Sequence, residues 1–361
     1  GYSAMWPMLV PKIERYHDLE RMLLDPEVGT NPTRYGTLAK EFSSLGKLVK
    51  PALEYEQVSA SVKQAETLVA AEADPEMQAY AAEEVNELKK KLGDLKNRVE
   101  DMLLVEPGED YSSLIVEIRA GTGGDEAAIF AGDLYEMYTR YARTQGWNVE
   151  GIEVSPGEAG GYKEVVFSVS GEDVYQKLRY ESGGHRVQRV PKTETQGRIH
   201  TSAATVAVLP EPDEVQVEIK PADLIVETMR AGGAGGQHVN KTESAIRLWY
   251  KKGTPEQIEV KCQDGRSQHK NKDQAMRVLR SRIFEFQQEK LHRERSENRK
   301  GQIGTGGRTD RIRTYNFPQN RVTDHRINLT MHSLDAVIMG EIGDLIGAMR
   351  EYDKKQRLGQ L

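Results

Sequence analysis

The chain has 361 residues, of which 29% are charged, 37% hydrophobic and 7% aromatic. This length is sufficient for two to four domains, while the single cysteine, Cys262, excludes a disulfide framework and a thiolate metal cluster. No apolar run approaches the length of a membrane span and no signal-peptide pattern is found, so we expect a cytoplasmic protein that does not enter a membrane.

The net charge of −6 is distributed unevenly along the chain. Residues 1–110 carry 13 basic and 21 acidic side chains, residues 111–225 carry 11 and 18, and residues 226–361 carry 26 and 17. The basic C-terminal third predicts a contact with a polyanion. Solvated helix faces explain the acidic segments well, but they explain less well why arginines recur beside glycines and amides in the basic one.

Residues 5–104 have the apolar periodicity of helices throughout. Residues 1–4 precede Met5, and we expect them to be foreign to the natural protein. We expect Pro51 to interrupt one helix and Asp74-Pro75 to separate two long antiparallel ones. A coiled-coil-like seam is formed by apolar side chains three and four positions apart, namely Val85, Leu88, Leu92, Leu95, Val99 and Met102. No chemical motif occurs here, so residues 1–108 are predicted to form a helical docking or spacer domain.

The rest of the chain mixes strands and helices. Residues 109–222 begin with a strand, the sequence Gly121-Thr-Gly-Gly-Asp-Glu126 and an amphipathic helix. Further strands are predicted at 148–154, 164–169, 175–180, 187–190, 204–209 and 215–219. Residues 223–299 are predicted to form strands at 224–229, 245–250 and 257–262 before a basic helix at about 270–299. Residues 300–361 contain a basic linker, a strand at 321–330 and closing helices, so the predicted fold class is multidomain α+β with a mostly antiparallel central sheet.

Two segments are chemically distinctive. The loop from Gly232 to Asn240 combines glycines, which allow close backbone approach, with a glutamine amide that is neither a nucleophile nor a strong base. Taken alone, it is more often a flexible hairpin tip. Residues 185–202 combine a proline turn with hydroxyls, amides, basic side chains and a histidine, which can read or stack on unpaired bases. A purely structural loop explains this second segment about equally well.

The sequence does not contain the usual catalytic motifs. Gly121–Glu126 lacks the ending of a phosphate-binding loop, and its acidic pair would repel phosphate while suiting a helix N-terminus. The histidines lack metal-ligand spacing, and Cys262 lies in a predicted strand that is more consistent with a core. We therefore predict no metal and no cofactor, and any catalysis must depend on positioning and backbone donors.

Together these segments resemble the bacterial class I peptide chain release factors from about Met5 to the end of the chain. The resemblance is to the members that act at UAA and UAG, because the Ser-Pro-Phe loop of the members that read UGA is absent. The motifs that carry it are Gly235-Gly236-Gln237, Pro191-Lys192-Thr193 in the family's Pro-x-Thr pattern, and residues 185–190, 196–202, 266–271 and 313–327.

The resemblance implies that residues 109–222, completed by residues 300–361, recognise the stop codon of the mRNA on the small ribosomal subunit. Thr193, in the loop with Pro191 and Lys192, would contact the first two bases. The other implied contacts are Gly123 and Glu126 with the first base, Ile199 and His200 with the second, and Gln188 and Thr201 with the third.

The resemblance also implies a catalytic domain over residues 223–299. Its Gly235-Gly236-Gln237 loop would enter the peptidyl transferase centre and promote hydrolysis of peptidyl-tRNA, through the Gln237 backbone N–H and a side chain that excludes larger nucleophiles. Such a factor is not a free-standing enzyme. The implied partners are both ribosomal subunits and their rRNA, a recycling GTPase release factor, and a glutamine methyltransferase that forms N5-methylglutamine at Gln237. Residues 298–313 match the family's switch segment.

Two other functions are considered. A codon-independent ribosome rescue hydrolase shares the Gly-Gly-Gln unit but lacks or alters the codon-reading domain, which is present here. A noncatalytic RNA-binding protein is disfavoured by the acidic residues around the second segment and by the lack of a stacking sheet motif.

Overall fold

The computed structural model describes residues 5–104, 111–191, 194–213, 216–230, 244–296 and 311–359. The chain forms two compact units, one made of residues 1–110 and 354–361 and the other of residues 111–353. Within the described ranges, no helix has both the length and the apolar character needed to cross a membrane.

The first unit is a helical bundle. Its helices are α1 (Leu9–Leu23), α2 (Pro26–Gly29), α3 (Pro32–Ala71) and α4 (Pro75–Leu103). The Asp74 side chain accepts a hydrogen bond from the N–H of Glu76 at 3.1 Å and Pro75 lies in the first turn of α4, which confirms the predicted helix boundary. The apolar seam of α4 is also confirmed, since its six members are buried or partly buried, five of them in the core that α4 shares with α3.

The expected interruption at Pro51 is wrong. Helix α3 continues through this residue over its 40 positions. A proline inside a helix costs about 3 kcal/mol because it removes one hydrogen bond and crowds the preceding turn. Val49 and Ala52 on either side are fully buried, so core packing holds the helix together across the missing hydrogen bond.

The second unit is built on an eight-stranded sheet with the order β11-β10-β9-β4-β5-β1-β3-β2. These strands are β1 (Ser113–Ala120), β2 (Asn148–Pro156), β3 (Tyr162–Ser170), β4 (Gly183–Arg189), β5 (His200–Pro210), β9 (Arg311–Asn316), β10 (Arg321–Asp324) and β11 (Leu329–Met331). Only the β4–β9 pair is parallel among them. Helix α5 (Gly124–Thr144) packs Phe130, Leu134 and Met137 into the core on one face.

A three-stranded antiparallel sheet and a long helix form the second core of this unit. The elements are β6 (Leu224–Met229), β7 (Ala245–Tyr250), β8 (Ile258–Cys262) and α7 (Gln268–Ser296). This core also includes Ile152 and Leu209 of the large sheet. Cys262 is fully buried there, and burial raises the pKa of its thiol to about 12, which is consistent with a core residue and not with a nucleophile.

Three of the predicted strands differ from the structure. Residues 175–180 form helix α6 (Val174–Leu178) and a 3-10 turn instead of a strand, since Val174 and Leu178, four positions apart, are both buried. Residues 216–219 are not a strand, and residues 321–330 form the two strands β10 and β11 with a tight turn at Asn328, whose φ is 52°. The chain ends in α8 (Leu334–Ile338) and α9 (Gly343–Gly359).

A buried ion cluster joins the C-terminal strands to β4. Arg313 of β9 is fully buried, and its guanidinium donates to both carboxylate oxygens of Glu181 at 2.5 and 2.9 Å and to Asp324 at 3.3 Å. Although burial alone would raise the pKa of Glu181, the charge of Arg313 lowers it to about 2. Strands β9 to β11 thus share a sheet with β4 and β5, while the finer division of the chain into four domains stays a prediction.

His185 of β4 is buried beside this cluster in a neutral form. Its Nε2 lies 2.9 Å from the carbonyl oxygen of Glu181, which can only accept, and its Nδ1 lies 2.9 Å from the Tyr315 hydroxyl. Nε2 therefore carries the proton and the hydroxyl donates to Nδ1. Burial, together with the charge of Arg313, lowers the pKa of His185 to about 4.

We predict that His185 makes the protein acid-sensitive. A histidine with a lowered pKa binds fewer protons when folded, so stability should fall as the pH decreases from about 6.5 to about 4 and should lose nothing more from this group below that. Over this pH range the free energy of unfolding should fall by about 3 kcal/mol. Urea titrations at several pH values should show a much smaller loss in His185→Gln, while His17→Gln, at an exposed site, keeps the full loss. An equal pH slope in His185→Gln would contradict the assignment.

Candidate nucleic-acid interface

The predicted base-contacting residues that the structure describes lie at one edge of the large sheet, namely the edge at which the inner strands β1, β4 and β5 begin or end. The end of β1, the start of α5, the end of β4 and the start of β5 meet there. The N–H of Gly121 donates to the carbonyl of Ala203 at 2.8 Å, and the N–H of Ala203 donates to that of Thr122 at 2.9 Å. The loop that follows β1 is therefore fixed to β5 by the same kind of hydrogen bonds that hold the sheet together.

Gly123 fits this edge for two steric reasons. Its φ is 122°, a conformation that side chains disfavour, and a Cβ atom there would lie only 2.5 Å from Oγ of Ser202. The residue precedes α5, whose first turn carries Asp125 and Glu126 and is stabilised by their negative charges. The interpretation of this acidic pair as suited to a helix start is consistent with the structure.

Glu126 is held by Arg189 of β4. The Arg189 guanidinium forms an ion pair with Glu126 and a second one with Asp133 at 2.7 Å, and it lies 5.0 Å from the centre of the Phe317 ring. Burial raises the pKa of Asp133, while Arg189 acts in the opposite direction. Burial alone would lower the pKa of Arg189, but its hydrogen bonds to Glu126 and Asp133 raise it. The Glu126 carboxylate is thus charge-paired and orientated before any ligand binds.

Gln188 and Thr201 lie opposite each other on β4 and β5. The side-chain oxygen of Gln188 accepts a hydrogen bond from the Asn316 amide at 3.2 Å, and the Gln188 carbonyl accepts from the N–H of Phe317 at 3.0 Å. Gln188 is half-buried and Thr201 is exposed. The two predicted contacts to the third base are therefore side by side, and β9 contributes to holding them.

The loop between β4 and β5 presents Ile199 and His200 to solvent. The Ile199 side chain is 58% exposed and that of His200 is 51% exposed. Glu194 turns back towards Pro191, whose carbonyl accepts its N–H at 3.1 Å. An exposed apolar side chain next to an exposed imidazole is an arrangement that can stack on a base.

The structure thus brings together seven of the predicted site residues, namely Gly123, Glu126, Gln188, Pro191, Ile199, His200 and Thr201. Lys192, Thr193 and the Gly235-Gly236-Gln237 loop lie outside the described residues, as does most of the predicted switch segment. The roles of all these residues stay predictions. The described residues do not place three or more metal-ligating side chains around a common point.

Sequence reasoning missed several residues that support the site. Arg189 and Glu194 lie inside the distinctive segment 185–202, but nothing in their spacing indicated their partners. Asn316 and Phe317 follow the basic linker, more than 120 positions from Gln188 and Arg189, and reach the site because β9 pairs with β4. Both residues lie in the motif at 313–327, but the strand β9 was not predicted, so the sequence indicated neither its pairing with β4 nor their contacts with Gln188 and Arg189.

Comparisons with known proteins agree with this architecture. The PCRF domain model matches residues 12–206 and the RF-1 domain model matches residues 213–326. The chain is 49% identical to peptide chain release factor 1 of Geobacillus sp. (strain WCH70) and 47% identical to that of Carboxydothermus hydrogenoformans, with 96% of each chain covered in both cases. RF2 of Thermus thermophilus has a similar structure, with a TM-score of 0.73, 32% identity, and coverage of 97% of this chain and 98% of that one. The chain therefore belongs to the family of class I peptide chain release factors.

Proposed function

We propose that the chain recognises UAA and UAG in the ribosomal A site and promotes hydrolysis of the peptidyl-tRNA ester. The observation that supports this most is the convergence of the seven described site residues on one edge of the sheet. A class I release factor must read a codon with protein side chains, and this edge supplies hydrogen-bonding and stacking groups on a rigid support.

Each codon position has a suitable group at this edge. The exposed backbone N–H groups at the start of α5 suit hydrogen-bond acceptors on the first base, and the fixed Glu126 carboxylate suits a hydrogen-bond donor on it. The His200 ring and Ile199 suit stacking on the second base. The Gln188 amide and the rotatable Thr201 hydroxyl can each donate and accept, so they suit a third base that is either A or G.

The hydrolytic step is proposed for the connection between β6 and β7, which contains Gly235-Gly236-Gln237. The sequence Gly-Gly-Gln supplies backbone N–H donors and an amide, but no group able to attack an ester. Catalysis would then consist of positioning a water molecule and stabilising the developing oxyanion or the leaving 3′-oxygen. It would require the ribosomal RNA around the loop, so the protein would promote the reaction without being a free-standing enzyme.

The proposed partners follow from this function. They are the rRNA of both ribosomal subunits, the mRNA stop codon and peptidyl-tRNA, together with a recycling GTPase release factor. A glutamine methyltransferase acting on Gln237 is part of the same proposal. Codon-independent rescue is the alternative, and the seven described site residues at the sheet edge argue against it.

The function is tested by peptide release from ribosomes programmed with UAA, UAG, UGA or a sense codon. We expect release at UAA and UAG and only background release at the other two codons. The same ribosomes without protein give the background. Equal release at all four codons would show that the protein is a rescue hydrolase.

We predict that Gly236→Ala binds ribosomes almost normally but releases peptide on the order of 100- to 1000-fold more slowly, because alanine removes the backbone freedom with which glycine places the N–H donors of the loop. Ribosome binding and single-turnover release are the two measurements. Gly93→Ala on α4, where a Cβ meets nothing within 4 Å, is the control and should behave like the wild type. Normal release by Gly236→Ala would refute the positioning argument.

We also predict that Arg189→Met weakens codon reading. Without Arg189 the Glu126 and Asp133 carboxylates lose their counter-charge, so the factor concentration for half-maximal release at UAA should rise about tenfold or more. The rate at saturation should not change. Arg21→Met, at an exposed position of α1, should leave both values unaltered. A lower saturating rate with unchanged half-saturation would place Arg189 in the hydrolytic step instead.

A further inference from the structure

Glu194 is a shielded carboxylate in an otherwise exposed loop. Its side chain is only 6% exposed, whereas residues 195–201 are all exposed. Shielding a charged group is unfavourable unless it is paired or hydrogen-bonded. The loop must therefore contain partners for it.

Those partners come from three points of the loop. The carboxylate accepts hydrogen bonds from the backbone N–H of Gln196 at 2.9 Å and from Nε of Arg198 at 3.4 Å, and it lies 2.9 Å from Nε2 of His200. The hydrogen bond from Gln196, followed by those from Arg198 and His200, lowers the pKa of Glu194, so the group is ionised at neutral pH. One side chain thus connects the turn after Pro191 to the first residue of β5.

The contact with His200 has a chemical consequence. An ionised carboxylate can only accept, so Nε2 of His200 must carry the hydrogen, and in the neutral ring Nδ1 is left as an acceptor. The hydrogen bond from Nε2 to Glu194 holds the ring at one nitrogen, which limits rotation about the side-chain bonds of His200. Both the orientation and the hydrogen-bonding pattern of His200 are then set by Glu194 before a ligand arrives.

We propose that Glu194 is a positioning residue for codon reading, which acts by holding the His200 ring in place for the second base. This inference rests on the proposed function. Preorganising a recognition side chain reduces the entropy that is lost on binding, so the effect belongs in codon affinity and not in the hydrolytic step. Loss of one hydrogen bond to a charged group corresponds to about a tenfold change in affinity.

The test is a double-mutant cycle in the peptide-release assay at UAA. Glu194→Gln keeps the size of the side chain and removes its charge, while His200→Phe keeps a flat ring that cannot donate to Glu194. We expect Glu194→Gln to raise the half-saturating factor concentration about tenfold without changing the saturating rate. In the His200→Phe background the same substitution should have no further effect, because its target is gone. Glu158→Gln, at a side chain that is 83% exposed, is the matched control and should behave like the wild type.

The possible outcomes separate the inference from the function on which it rests. Unchanged half-saturation in Glu194→Gln, a fall in the saturating rate, or an equal effect in both backgrounds would each overturn the role of Glu194. Equal release by the wild type at stop and sense codons would overturn the codon-reading function, and the inference with it. Codon-dependent release by the wild type combined with additive effects would overturn the inference alone.

Discussion

The buried ion pair between Arg313 and Glu181 is the interaction on which the candidate site depends. It joins the segment before β4 to β9, although the two partners are 132 positions apart in the chain. Isolated buried charges are strongly unfavourable, and removing one partner of such a pair typically costs about 3–5 kcal/mol. Here Tyr138 also donates to Glu181, and Arg313 also donates to Asp324 and Tyr315, so the pair belongs to a wider buried network, in which Nε of Arg313 has no hydrogen-bond partner among the described residues. The network places β9 beside β4, and with it Asn316 and Phe317 at the site.

The large sheet is packed on both faces and also carries the candidate site. One face packs against α5 and the other packs against α7 and the small sheet, so the strands between them are fixed on both sides. Two arginines of α7 form ion pairs on this side of the sheet. Arg282 lies 2.5 Å from the buried Glu117 of β1, and Arg277 lies 2.7 Å from Glu211, which follows β5. The base-contacting candidates lie where the inner strands β1, β4 and β5 of this sheet begin or end. Rigid strands under exposed side chains are what precise recognition of a small target requires.

Charge compensation explains how an acidic protein can present carboxylates to RNA. Glu126 is paired with Arg189, and Glu194 is paired with Arg198 and hydrogen-bonded to His200, so neither carboxylate adds an isolated negative charge at the candidate interface. The same pairs orientate their partners, since a charged hydrogen bond restricts rotation on both sides. Specificity at this edge would then come from fixed geometry, and the net positive charge of residues 226–361 would supply general attraction to the ribosome.

The sequence by itself determined the fold class, the helical first unit and most strands, because these follow from local apolar periodicity and from prolines at helix starts. Through its resemblance to the release factors it also indicated the candidate base-contacting residues, because the motifs that carry the resemblance are short and continuous. Tertiary structure alone decided that Pro51 remains helical, that residues 174–178 form a helix, and that β9 pairs with β4. It also decided the partners of Glu126 and Glu194. These outcomes depend on burial and on contacts between residues that are distant in the chain or that share a turn, and neither has a periodic signature in the sequence.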